Sequence, residues 1–154
     1  MGNGIAQVAA SAGYEVLMVD LKDDYVDKGV ATIQKSLSKL VAKERISQSD
    51  ADNTLARIST TTDRGKCADA DLVVEAVPEI LDLKASIFSE LDEICKPECI
   101  LASNTSSISI STIANATNRP EKVIGMHFMN PVPIMKLVEI INGDQTSEAT
   151  NSAV

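Results

Sequence analysis

The 154-residue chain has a single histidine, His127, and an acid, Glu139, stands 12 positions further on (139 − 127). Imidazole titrates near neutral pH, which makes it a suitable proton acceptor for chemistry at about pH 7. A carboxylate beside it would orient the ring and stabilise its cation, as in a general base with an orienting partner. Both residues also have plainer uses: a lone histidine is commonly a satisfied core residue, and a glutamate in an edge strand commonly faces water. A second polar group, "SNTSS" at 103–107, follows an apolar stretch. Open α/β sheets place ligands at the C-terminal ends of such strands. The same loop could instead cap the next helix through Ser107.

A third group opens the chain, which begins "MGNGIAQVAASAGYEVLMVD". In a dinucleotide-binding βαβ unit a strand leads into a G-x-G-x-x-G turn, and helix N–H groups hold the pyrophosphate. An acid about 20 residues on accepts hydrogen bonds from the ribose 2′-hydroxyl. If Gly2 is the last glycine of that turn, Asp20, 18 positions later (20 − 2), is the ribose acid. A carboxylate there repels a 2′-phosphate and so favours NAD over NADP. On this reading a strand and two further glycines belong ahead of Met1. Gly4 is then an internal helix glycine, serving either close packing or ligand approach.

The elements that would position these groups follow from hydrophobic periodicity. Ile5, Val8, Ala9 and Ala12 make one helical face, stopped by Gly13. "YEVLMVD" reads as a parallel strand buried on both faces. A long helix follows, capped by Asp23 or Asp24, with the stripe Val26, Val30, Ile33, Leu37, Leu40 and Val41. A short helix runs from Ser47 to about Ala56, and "RISTTT" is a short strand. "ADLVVEAV" is the next buried strand, followed by a helix from Leu81 to Cys95 with Ile87, Phe88, Leu91, Ile94 and Cys95 inward. "CILASN" is a strand, a short helix lies around Ile110 to Ala116, and "KVIGMHF" and "KLVEII" are the last strands. "SEATNSAV" begins a final helix. The alternation predicts an α/β fold with a mostly parallel, doubly wound sheet in one domain spanning 1–154.

Bulk properties narrow the function. The chain is 44% hydrophobic and 23% charged, ordinary for a globular domain. Its net charge of −8 argues against nucleic acid or an anionic membrane as partner. No apolar run is long enough to span a bilayer. The three cysteines, Cys67, Cys95 and Cys99, with one histidine supply no four-ligand zinc set, so no metal is expected and the thiols read as reduced and cytoplasmic.

Four collinear stretches are together far more specific: "KSLSKLVAK", "EAVPE", "ILASNTSSISI" and "GMHFMNPVPIMKLVEII". As a set they resemble the NAD-binding domain of short-chain L-3-hydroxyacyl-CoA dehydrogenases, most closely the bacterial 3-hydroxybutyryl-CoA dehydrogenases. The resemblance implies a Rossmann-like domain that oxidises a secondary alcohol on a CoA thioester to a ketone, with NAD as cofactor. It implies that His127 is the catalytic base, Glu139 its partner, and Ser106 the group meeting the substrate hydroxyl and the histidine. It places Asn104 near the nicotinamide ribose and Asn130 in the active-site loop, which Pro131 and Pro133 would stiffen. It has Glu79 and Lys84 line the cofactor cleft. By the residues alone an ordinary acidic helix start serves as well for Glu79, and a solvated helix residue serves better for Lys84. Ser36, Lys39 and Lys43 share one side of the long helix, and the resemblance carries over to Ser36 and Lys43 as groups for the acyl-CoA substrate. It also implies a C-terminal helical domain absent from this chain, through which the full protein forms a homodimer. Without its first strand and second domain, the chain by itself is expected to fold marginally and bind NAD poorly. A non-catalytic protein on the same scaffold, or a reductase of a β-hydroxy acid without CoA, are the alternatives.

Overall fold

The computed structural model describes residues 1–154, which form two compact units: 1–63 with 130–136, and 64–129 with 137–154. In the first unit the order is α1 (Gly2–Ser11), β1 (Val16–Val19), α2 (Asp23–Ala42), α3 (Gln48–Ala56) and β2 (Ile58–Thr61). β1 and β2 pair in parallel, from Val16 opposite Ile58 to Val19 opposite Thr61. Ala6, Ile33, Leu37 and Ala51 make the core, with Val16, Met18 and Ile58 packed against it. The α2 stripe is the expected one, buried most deeply at Val26, Ile33 and Leu37.

Three local expectations shift. The buried face of α1 is Ile5, Ala6, Gln7 and Ala10, and Ala12 is exposed. Both α2 and α3 pack on α1, and the small alanines let them approach. β1 is not buried on both faces: Val16 and Met18 reach the core, while Leu17 on the other face is 36% exposed. The cap of α2 is Lys22, one residue earlier than expected. Asp23 and Asp24 fall in the first turn, where the helix dipole favours them. Gly13 does end α1, with φ of 101°, a conformation that side chains other than glycine rarely adopt. Ser47 and Asp50 close a reciprocal capping box on α3.

The second unit contains β3 (Leu72–Glu75), α4 (Leu81–Ile94), β4 (Ile100–Ser103), α5 (Ile110–Ala114), β5 (Val123–Phe128), β6 (Val138–Asn142) and α6 (Glu148–Ala153). Its sheet has the order β3-β4-β5-β6, parallel except for the β5–β6 pair. β1 and β3 belong to separate sheets. Ile87, Phe88, Leu91 and Cys95 turn inward as expected, Ile94 is half-buried, and Lys84 joins the buried set. The cap of α5 is Ser109 rather than Ser107. Short 3-10 turns at Arg64–Cys67 and Pro120–Lys122 are too brief to show a periodicity in the sequence.

The C-terminal end of α4 is closed by one side chain from outside the helix. Arg119 donates to the carbonyls of Asp92 at 2.7 Å, Cys95 at 3.0 Å and Lys96 at 2.6 Å, and to the Asp92 carboxylate at 2.6 Å. The last carbonyls of a helix lack partners within it and sit at its negative end, so a guanidinium there satisfies both needs.

Candidate active site

In the second unit, β5 and β6 pair antiparallel with His127 directly opposite Glu139. Side chains opposite each other on neighbouring strands share a face. The His127 Nδ1 lies 2.7 Å from Glu139 Oε2. An ionised carboxylate only accepts hydrogen bonds, so Nδ1–H donates. Nε2 is then left with its lone pair, able to take a proton, and the side chain is 22% exposed, open to a reactant.

One turn supplies the neighbouring groups. β4 ends at Ser103, and Asn104 Oδ1 accepts from the backbone N–H of Phe128 at 2.8 Å, the residue after His127. Asn104 is thereby tied to the strand that carries the base. Ser106 lies two residues on, exposed, and no hydrogen bond joins it to His127.

Glu79 and Lys84 do come together, though not as two solvated groups. Lys84 is 1% exposed, and its ammonium donates to Glu75 Oε1 at 2.7 Å and to the Val77 carbonyl at 3.1 Å. It also lies 3.4 Å from Glu79 Oε1. Thr105 and Ser107 hydroxyls donate to Glu79 Oε2 at 2.7 and 3.1 Å. Partial burial pushes the Glu79 carboxyl upward, but the Thr105 hydroxyl, the Lys84 charge and Ser107 outweigh it and hold the group below the usual carboxylate range. Glu75, Ser103 and Thr105 were not singled out by the sequence reading. The available signal was an acid in the apolar stretch "DLVVEAV", where a strand buried on both faces should have none.

In the first unit, Gly2 is the first residue of α1, whose N-terminus no side chain caps. Asp20 is exposed directly after β1 and accepts from the Leu21 N–H at 2.7 Å. The first-turn N–H groups of α1, of which the Gly4 N–H already donates to Asn3 Oδ1 at 2.9 Å, and the exposed carboxylate after β1 are a donor and an acceptor of the kinds that a dinucleotide's pyrophosphate and ribose take. Ser36 and Asn130 line one cavity of about 250 Å³, with Asn3, Gln7 and Thr32. Lys43 caps the C-terminus of α2, exposed, seven residues beyond Ser36. A Cβ on Gly4 would lie 2.9 Å from Val132 Cβ, so its absence lets the 130–136 segment pack on α1, and Gly4 lines the same cavity.

The profile of the 3-hydroxyacyl-CoA dehydrogenase NAD-binding domain matches residues 1–154. The chain belongs to this family. Its NAD-binding domain is 54% identical over 151 residues to a probable 3-hydroxybutyryl-CoA dehydrogenase of Deinococcus radiodurans, covering 97% of this chain and 54% of that protein. It is 46% identical to the 3-hydroxybutyryl-CoA dehydrogenase of Clostridioides difficile, over 100% of this chain and 55% of the relative. Among solved structures, the (S)-3-hydroxybutyryl-CoA dehydrogenase of Ralstonia eutropha superposes with a TM-score of 0.97 at 49% identity, covering 99% of this chain and 54% of that one. The chain thus spans about half the length of the relatives it matches. No helix in it is long and apolar enough to cross a membrane.

Proposed function

We propose that residues 1–154 are the NAD-binding domain of an NAD-dependent 3-hydroxyacyl-CoA dehydrogenase that oxidises (S)-3-hydroxybutanoyl-CoA or a similar short-chain thioester. The carrying observation is the His127–Glu139 pair, 2.7 Å apart on register-matched strands. Nε2 of His127 takes the proton of the substrate hydroxyl, and the Glu139 carboxylate stabilises the resulting imidazolium. Ser106 and Asn104 orient the substrate hydroxyl and the nicotinamide ribose. Gly2 and Asp20 hold the pyrophosphate and adenosine ribose, with Glu79 and Lys84 beside the cofactor. NAD, when bound, supplies the hydride acceptor. Ser36, Asn130 and Lys43 hold the CoA portion; the cavity shared by Ser36 and Asn130 supports that placement. The enzyme is cytoplasmic and homodimeric through a second domain.

The test is acetoacetyl-CoA-dependent loss of NADH absorbance by the full-length protein, with free acetoacetate as control. Turnover of the thioester and not of the free acid is the expected result. No turnover of either would remove the dehydrogenase reading, and turnover of the free acid alone would replace it with a CoA-independent reductase.

A further inference from the structure

We propose that Glu75 is a positioning residue for the reaction just described, setting the 104–106 turn through Ser103 and Glu79 through Lys84; the proposal rests on the dehydrogenase reading. Glu75 ends β3, 4% exposed. Its register partner on β4 is Ser103, 0% exposed, whose hydroxyl donates to Glu75 Oε2 at 2.7 Å. Its other oxygen accepts from Lys84 at 2.7 Å and from the Val77 N–H at 2.6 Å.

Following the partners outward closes a ring. Ser103 Oγ accepts from the Thr105 N–H at 3.2 Å, and the Thr105 hydroxyl donates to Glu79 at 2.7 Å. Glu79 lies 3.4 Å from Lys84, which returns to Glu75. Thr105 Oγ1 also accepts from the Ile108 N–H at 3.0 Å, pinning the far side of the turn. Ser103 and Thr105 both face this ring, so Asn104 between them turns the other way, onto the Phe128 N–H. The buried carboxylate therefore sets which way Asn104 points, and Ser106 emerges from the same pinned turn.

A purely structural role explains the arrangement poorly. Burying an ion pair is costly, and well-packed apolar residues commonly replace one at no loss of stability. Breaks in the apolar pattern of an otherwise consistent strand concentrate at functional sites. Here the break falls at the C-terminal end of the strand, beside the turn that carries the polar cluster.

The test uses the full-length protein. Ser103→Ala cuts the ring between Glu75 and the turn and leaves the Glu75–Lys84 pair intact. The expected result is kcat lowered about tenfold, with KM for acetoacetyl-CoA and NADH changed less than about twofold and a melting temperature that falls for the lost buried hydrogen bonds but stays well above the assay temperature. Amide hydrogen exchange should quicken at Thr105, Ser107 and Ile108. Unchanged kcat, or unchanged exchange at those amides, overturns the proposal. The double variant Glu75→Leu/Lys84→Met removes the pair and the Ser103 acceptor without stranding a buried charge. Its readout is exchange, since Lys84 is itself assigned beside the cofactor: the Thr105, Ser107 and Ile108 amides should exchange faster than in the parent, and parental exchange there would make Glu75 merely structural. If the parent itself turns over no acyl-CoA, the dehydrogenase reading fails, and the exchange comparison still decides whether Glu75 holds the turn.

Discussion

His127 and Glu139 meet because β5 and β6 pair in the one register that sets them opposite, Nδ1 to Oε2 at 2.7 Å. A shift of one residue would send the two side chains to opposite faces of the sheet. The proposed proton-accepting role of Nε2 and orienting role of the carboxylate thus depend on strand pairing as much as on residue type.

In the full-length protein His127→Ala should lower kcat by about 10²–10⁴-fold, the usual worth of a positioned general base. Glu139→Gln should fall by a smaller factor, since the amide can still hold the ring but cannot balance its charge. NADH affinity, from fluorescence titration, should stay within about threefold, because neither group is assigned to the cofactor. A His127→Ala enzyme with parental turnover would remove the base from this position.

Asp20 should set the choice of cofactor. The parent should prefer NADH to NADPH, and Asp20→Ser should narrow that preference by raising kcat/KM for NADPH, as a negative charge beside the 2′-phosphate is withdrawn. The ratio of the two kcat/KM values is the measurement. An unaltered ratio would place the ribose elsewhere.

Arg119→Ala should be severely destabilising. The side chain is 11% exposed, and its loss leaves the Asp92 carboxylate, 6% exposed, without its cation and with only Asn118 as donor, and bares the end of α4. Breaking a buried pair of this kind costs about 3–5 kcal/mol. Arg119→Lys should rescue little, because one ammonium cannot reach several fixed acceptors at once. Thermal or urea melts of the two variants decide it.

Gly4→Ala should destabilise despite alanine's better helix propensity. A helical glycine gives up about 1 kcal/mol relative to alanine, but the added methyl would sit 2.9 Å from Val132 Cβ and 3.2 Å from its Cγ2. Overpacking costs about 1–3 kcal/mol, so the net change should be a loss. Gly4→Ala with Val132→Ala should recover only the share due to Cγ2, since alanine keeps the Cβ at 2.9 Å; a stabilised single variant would contradict the contact.

Stability should fall at both ends of the pH range. Burial raises the Asp92 carboxyl, but the Asn118 N–H, Arg119 and the Asn118 amide overcome this and hold it below its ordinary 3.8; Glu79 is likewise held below 4.5. With folded values depressed, their contribution is complete above the ordinary range and is lost as pH falls through the folded values. The acid limb of a melting-temperature profile should therefore begin below about pH 4, and Asp92→Asn should flatten it. At the other end, burial and then the neighbouring Cys95 push the Cys99 thiol up from 9.0 to about 12. Unfolded chains ionise that thiol first, so stability should decline as pH climbs between those values. Alkylation with peptide mapping at pH 8 should label Cys99 only after denaturant is added.

Much was legible in the sequence because it was local. The α2 stripe, the Gly13 stop, the start of a short helix at Ser47 and the strand–helix alternation each depend on residues within a few positions of one another. Residue types with a narrow chemical use, such as His127 and Asp20, were legible as candidates for the same reason. Tertiary structure decided whatever depends on distant segments meeting. Sequence could not say that Lys84 is buried, because its partner Glu75 is nine residues away and brought beside it by the turn from β3 into α4. It could not choose between packing and ligand approach for Gly4, because Val132 arrives from 128 positions further along (132 − 4). Nor could it set His127 against Glu139, since spacing along a chain leaves strand register open and only the paired backbone closes it.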